Sequence, residues 1–330
     1  MSQAGRMGVL LLQLGTPDSP DSGPVGRYLR EFLGDPRVMD IPAVPRWVLV
    51  NLGIVPLRAR HSAAAYRSIW TAGGSPLRVH TESLAAGLRS VLSVPVAVGM
   101  RYGNPTLSAA LDALGDVDRI VAVPLYPHYA GASWGTAVEA LYSAAGKRKN
   151  VPSVDVVPPL ARLPAWGRAV ADLVRPHVGK GRLVFSFHGL PERQVRASQA
   201  GCFASQGCCD RPDALHGWCY RAQCFASARE IAGALQIDNF EVAFQSRVGR
   251  EQWIGPSLDD TLDRLAAAHE KVVVVCPSFV ADCLETLEEI GLRARARFTA
   301  GGGADFTLVP CLNAEPSWVR VLGEMILSRS

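Results

Sequence analysis

The chain repeats itself. Four strand endings occur twice, in the same order. Leu14-Gly15-Thr16-Pro17 is answered by His188-Gly189-Leu190-Pro191, and Gly99-Met100-Arg101-Tyr102-Gly103 by Gln245-Ser246-Arg247-Val248-Gly249. Val121-Ala122-Val123-Pro124 pairs with Val274-Val275-Cys276-Pro277, and Val156-Val157-Pro158-Pro159-Leu160 with Leu308-Val309-Pro310-Cys311-Leu312. Order and spacing carry the repeat more than the letter matches do. The β-rich segments are 7–14, 96–102, 119–126 and 153–160, then 182–188, 240–245, 271–277 and 305–312. Stretches with helical spacing, such as 83–92, 226–235 and 258–269, separate most of them. Strands alternating with helices imply βαβ units and parallel sheets. The expected fold is therefore α/β: a duplicated domain, each copy with a four-stranded parallel sheet flanked by helices. The copies should span 1–170 and 171–330, with the junction inside 164–181. A cleft between two such domains is a natural ligand site.

Composition narrows the function. Hydrophobic residues are 48% and charged residues 19%, as in a compact globular protein. The net charge of +4 with no Lys/Arg-rich run gives no reason to expect nucleic acid. Residues 41–57 are apolar, but Pro42, Pro45, Arg46 and Pro56 rule out a spanning helix. Trp47, Val48, Leu49, Val50, Leu52 and Ile54 read either as an ordinary core helix or as an apolar lip at a surface. Residues 7–14 read as a strand, not as a signal-peptide core, so a cytoplasmic, reducing location is expected. Eight cysteines there should not form a disulfide framework.

His188 falls at the carboxyl end of a strand, where open α/β sheets bind ligands. An imidazole titrating near neutrality suits proton abstraction there. Asp282, Glu285 and Glu289 lie at i, i+3 and i+7, on one face of a helix expected to start near Ala281. Such a stripe is ordinarily a solvated face. Its place after another strand end makes a proton or metal path the competing reading. Cys202, Cys208, Cys209, Cys219 and Cys224 fall in one 23-residue polar window, which suggests thiolate ligation of an iron–sulfur cluster or zinc, with His216 as an extra candidate. Cys276, Cys283 and Cys311 stand in apolar contexts and should be small buried hydrophobes. Gly73-Gly74-Ser75-Pro76 could cradle an anion at a helix start. No Walker A loop and no Gly-x-Gly-x-x-Gly after a strand is present, so no nucleotide is expected. Arg58, Arg101 and Tyr102 are carboxylate-partner candidates.

Six segments together resemble the ferrochelatases. They are Leu11-Leu12-Gln13-Leu14-Gly15-Thr16-Pro17-Asp18, Gly73-Gly74-Ser75-Pro76-Leu77, Val123-Pro124-Leu125-Tyr126-Pro127, Phe185-Ser186-Phe187-His188-Gly189-Leu190-Pro191, Phe244-Gln245-Ser246-Arg247-Val248-Gly249 with Trp253-Ile254-Gly255-Pro256, and Asp282-Cys283-Leu284-Glu285-Thr286-Leu287-Glu288-Glu289. The resemblance covers nearly the whole chain and the order is the family's. It implies two similar Rossmann-like domains with a porphyrin cleft between them, and a lyase that inserts ferrous iron into a porphyrin to form haem. Protoporphyrin IX is the expected acceptor, with coproporphyrin III second. The alternatives are a non-catalytic porphyrin-binding protein and a chelatase for another tetrapyrrole or metal. The resemblance assigns proton acceptance to His188 and proton or metal relay to Glu285, both meeting the substrate iron. Asp282 and Glu289 extend the path. Leu10, Gln13, Arg58, Ser75, Arg101, Tyr102 and Trp253 are the implied porphyrin contacts, Gln13 standing where the family has asparagine. Some bacterial members carry cysteines at the place of residues 194–224 and bind a [2Fe–2S] cluster. Cys202, Cys208, Cys219 and Cys224 are the implied ligands, with Cys209 the alternative to Cys208. Peripheral contact with the inner membrane face and a homodimer are left open.

Overall fold

The computed structural model describes residues 6–199, 202–203, 207–210, 213–247, 249 and 251–329. Among them, eight strands form two separate four-stranded sheets. The first holds β1 (Met7–Thr16), β2 (Val96–Gly103), β3 (Arg119–Pro124) and β4 (Ser153–Val156) in the order β2-β1-β3-β4. The second holds β5 (Arg182–His188), β6 (Phe240–Gln245), β7 (Lys271–Val275) and β8 (Asp305–Leu308) in the order β6-β5-β7-β8. All six pairings are parallel. The duplicated α/β architecture read from the sequence is thus the observed one, down to the same strand order in both copies.

Burial explains the apolar runs. Val9, Leu10, Leu11 and Leu12 are all 0% exposed, because the central strand is covered on both faces. Each such side chain contributes roughly 1.5–3 kcal/mol by leaving water. Leu10 and Leu12 pack with Ala97, Leu107, Leu111, Ile120 and Leu141. Val184, Val272 and Val274 do the same with Leu262, Ile290 and Phe298 in the other copy.

The repeated glycine after the first strand of each copy has one physical reason. A Cβ on Gly15, whose φ is +112°, would lie 1.8 Å from the carbonyl oxygen of Tyr102 in β2. A Cβ on Gly189 would lie 2.6 Å from the carbonyl oxygen of Gln245 in β6. In both copies the neighbouring strand end closes over a position that has no room for a side chain.

The chain divides into two units: residues 1–125, 131–158 and 313–330, and residues 126–130 and 159–312. This corrects the expected split at 170. The switch comes at Pro158–Pro159, just past β4. The terminal segment returns to the first unit, because helix Pro316–Leu327 buries Trp318, Val319, Leu322 and Ile326. A Cβ on Gly87, in helix Pro76–Val91, would lie 2.9 Å from Val319, so only glycine admits this close packing.

Residues 43–69 are continuously helical, with wide turns at Leu49–Ile54 between Ala43–Val48 and Val55–Ile69. Val50 and Val55 are buried, but Val44, Trp47, Leu52 and Leu57 are 75%, 60%, 67% and 81% exposed. Of the two readings of this segment, the surface lip is the one observed. No helix among the described residues is long and apolar enough to cross a membrane.

Candidate active site

β5 delivers His188 to the edge of the second sheet, half-buried. Its backbone N–H donates to Ser278 Oγ at 3.2 Å, and its ring meets Phe279 edge-on. The ring Nδ1 lies 2.6 Å from the carbonyl oxygen of Gly189. A carbonyl only accepts, so Nδ1 carries the proton of the neutral ring. The lone pair is then on Nε2, the arrangement a proton acceptor needs. Trp253 stands beside this turn. It pairs with Pro191 across an isolated bridge, and its Cε3 would lie 3.2 Å from a Cβ on Gly189.

The acidic residues come from the segment after β7. The helix begins at Leu284 rather than near Ala281, and wide, π-type turns run over Glu285–Ala294. Such turns often mark functional sites. Glu285 and Glu289 are both half-buried, and their charges interact. Glu289 accepts from the Ser246 N–H at 2.8 Å and from the Ser246 hydroxyl at 2.7 Å. Burial pushes its carboxyl above the usual range. The Ser246 bonds pull it down, as does His188 when its ring is protonated, while Glu285 pushes it up. His188, Glu285 and Glu289 therefore form one electrostatic group. Asp282 does not share their face. It precedes the helix, is 5% exposed, and accepts from the Thr286 hydroxyl at 3.0 Å and from the Cys311 N–H at 3.3 Å. Cys276, Cys283 and Cys311 are buried around this region, as their apolar contexts imply.

In the first unit the porphyrin candidates are placed unequally. Ser75, 3% exposed, stands just before helix Pro76–Val91, and its hydroxyl accepts from the Thr16 hydroxyl at 2.7 Å. Arg101 donates to Asp35 at 2.5 Å and to the Thr136 hydroxyl at 2.7 Å. The Tyr102 hydroxyl, fully buried, donates to Asp35 at 2.8 Å, and burial raises its pKa. Burial alone would raise Asp35 too. Hydrogen bonds from Thr136, the Arg37 N–H and Tyr102, with the charge of Arg101, instead hold it below the ordinary carboxylate range. Asp35 is the residue that sequence reasoning missed. It follows a helix and precedes Pro36, so it reads as a turn residue. Gln13 is buried, its side chain accepting the Leu14 N–H at 2.9 Å. Arg58 is exposed on helix Val55–Ile69. Leu10 has no exposed surface and belongs to the core, which leaves it no face for a porphyrin.

The cysteine segment gathers its thiols. Cys202 and Cys219 sulfurs are 3.5 Å apart, and Cys209 donates to Cys219. That bond holds the Cys219 thiol below its ordinary pKa. Cys224, 0% exposed, feels the charges of Cys219 and Cys209. Arg221 donates to Cys209 Sγ at 2.8 Å. Arg229 binds the Cys209 carbonyl, and Arg162 binds those of Leu215 and Gly217. Cys208 is half-buried, and His216 is exposed. Among the described residues no three His, Cys, Asp or Glu side chains are already set out as a metal-ion site. The donor set itself, buried thiols beside an arginine, has the chemistry of an iron–sulfur ligand shell.

Known proteins bear on this arrangement. The family model described as Ferrochelatase matches residues 6–330. A ferrochelatase of Legionella pneumophila (strain Corby) is 41% identical over 327 residues, covering 97% of this chain and 98% of the relative. One of Bdellovibrio bacteriovorus is 41% identical over 340 residues, covering 98% and 99%. In fold, the chain is similar to SirB from Bacillus subtilis with Fe3+, at a TM-score of 0.55 and 12% identity, over 98% of this chain and 95% of that one. It is also similar to the sirohydrochlorin chelatase SirB from Bacillus subtilis subspecies spizizenii in complex with cobalt, at a TM-score of 0.52 and 11% identity, over 96% and 92%. Identities that low show a shared fold and no more. The duplicated parallel sheets, the strand-end histidine and the full-length match at 41% identity converge: this chain belongs to the ferrochelatase family, enzymes that insert metal into porphyrin to make haem.

Proposed function

We propose that this enzyme inserts ferrous iron into protoporphyrin IX, with His188 as the acceptor of the pyrrole protons. The observation that carries this is the Nδ1 contact of His188 with the Gly189 carbonyl at 2.6 Å, which leaves the lone pair of the neutral ring on Nε2, on a residue whose charge would interact with that of Glu289. Metallation must strip two pyrrole N–H protons and admit a divalent ion into a nearly closed ring of nitrogens. A base at the strand end serves the first need. Glu285, with Glu289 behind it, serves the second by relaying protons away or guiding iron in. Asp282, tied to Thr286 and Cys311, steadies the start of that acidic path. Bending the macrocycle would bring it closer to the transition state, and Trp253 offers a flat apolar surface for that.

The porphyrin's carboxylates are assigned to the first unit. Arg101, with 23% of its side chain exposed, would meet a propionate while Asp35 and Thr136 fix its guanidinium. Tyr102 backs the same anchor through Asp35, Gln13 on β1 and Ser75 at the start of helix Pro76–Val91 line its neighbourhood, and Arg58 supplies an outer cation. The exposed Val44, Trp47, Leu52 and Leu57 support a peripheral contact with a membrane surface, from which an apolar porphyrin could arrive.

Cys202, Cys209, Cys219 and Cys224 would hold a [2Fe–2S] cluster, a group that supplies one-electron redox chemistry and a rigid crosslink of its four ligands. Burial and the bond to Cys219 favour Cys209 over Cys208 as the fourth ligand. Cys209→Ser should lose the visible absorbance and acid-labile sulfide of the purified protein, and Cys208→Ser should keep both. The reverse pattern would reinstate Cys208.

The functional reading is tested by anaerobic insertion of ferrous iron, with protoporphyrin IX and coproporphyrin III in parallel. His188→Ala should bind porphyrin with unchanged fluorescence quenching and lose insertion by at least about a hundredfold. Turnover retained in that variant would remove His188 from the mechanism. Faster metallation of coproporphyrin III would replace the substrate.

A further inference from the structure

His188 sits where the second sheet runs out. β5 pairs with β6 up to His188, opposite Gln245, but with β7 only up to Phe185, opposite Val275. On the β7 side the polar backbone groups near His188 need other partners. One side chain from the cysteine segment serves them. Tyr220 opens helix Tyr220–Leu235 directly after Cys219, and Cys224 lies one turn further along. The Tyr220 hydroxyl donates to the His188 carbonyl at 2.8 Å and lies 3.0 Å from Ser278 Oγ. Ser278 Oγ accepts the His188 N–H at 3.2 Å. Both backbone groups of His188 thus end on a Tyr–Ser pair, and the tyrosine is the residue next to Cys219. The tyrosine ring is wedged edge-on against His128 at 6.0 Å, which leaves the hydroxyl little freedom to move.

We propose that Tyr220 is a positioning residue for His188. The proposal rests on the reading of His188 as proton acceptor. Tyr220 itself touches no reacting atom. Its role is to fix the strand end so that Nε2 stays aimed. Loss of the hydroxyl should therefore slow the chemical step and leave porphyrin binding alone.

The test uses the full chain, as wild type, Tyr220→Phe and Ser278→Ala. Hydrogen exchange of the peptide covering residues 183–189 is read alongside insertion kinetics. Tyr220→Phe should raise exchange at the His188 end and lower kcat about tenfold, the effect of roughly one lost hydrogen bond, with KM for porphyrin within about twofold. Its visible absorbance should match the wild type. Unchanged exchange and kcat in Tyr220→Phe would overturn the proposal. Ser278→Ala provides a second route if Tyr220→Phe does not fold, since it breaks the His188 N–H arm and keeps the ring; it should reproduce the exchange and kcat effects, and failure to do so would sink the idea. A wild type that inserts no metal would bring down the reading of His188 instead, while the exchange measurement would still decide whether Tyr220 holds the strand end.

Discussion

His128 shows what burial does to a single side chain. Its Nε2 lies 2.8 Å from Ser227 Oγ. Ser227 already donates its one proton to the Cys224 carbonyl, so His128 must donate from Nε2. Nδ1 has no hydrogen-bond partner, and the rings of Trp166, Phe187 and Tyr220 surround it. Burial drives its pKa down to about 3. An unfolded histidine takes up its proton near pH ~6.5. As pH falls from there toward 3, the unfolded chain binds a proton that the folded chain refuses, so stability is lost on acidification. His128→Gln removes that difference. Its unfolding free energy, from urea titrations, should fall less steeply than the wild type's below pH ~6.5, by up to about 1.4 kcal/mol per pH unit. Parallel curves would show that His128 opens to solvent before the protein unfolds. His188 could be singled out from the sequence, since a strand end is visible in the pattern. Asp35 could not, because what makes it matter is three partners distant in sequence: Arg101, Tyr102 and Thr136.

At the scale of elements, the strands were legible because buried parallel strands are short apolar runs. β5 and β6 begin and end where the pattern places them, at 182–188 and 240–245. β4 and β8 stop earlier than the apolar runs do, at Val156 and Leu308. Pro158 and Pro310 follow, and a proline has no N–H to give a ladder. The acidic helix was placed three residues early, because the Asp282 carboxylate is taken up by the Thr286 hydroxyl and the distant Cys311 N–H instead of opening the helix. The helix Pro316–Leu327 has a structural role that the pattern left unassigned. Trp318 is 1% exposed within the first unit. Trp318→Ala should cost about 3–5 kcal/mol in urea unfolding, as large cavities do, and the loss should come from the transition that reports the first unit. A loss below ~1 kcal/mol would mean that the terminal helix is not part of that unit's core.

For the molecule as a whole, the sequence by itself determined the architecture. A repeat of strand endings, each stopped by glycine or proline, leaves a duplicated α/β fold as its simplest solution, because local pattern and spacing are enough to define strands and their order. It also marked His188, Glu285 and Glu289, whose chemistry is written in their residue types. Tertiary structure decided which side chains meet. Only folding joins Tyr220 to His188, Asp35 to Arg101 and Cys209 to Cys219, and only folding returns the terminal helix to the first unit. The reason is physical: hydrogen bonds and burial depend on distance through space, and residues far apart in the chain carry no local trace of the partners that packing will bring them.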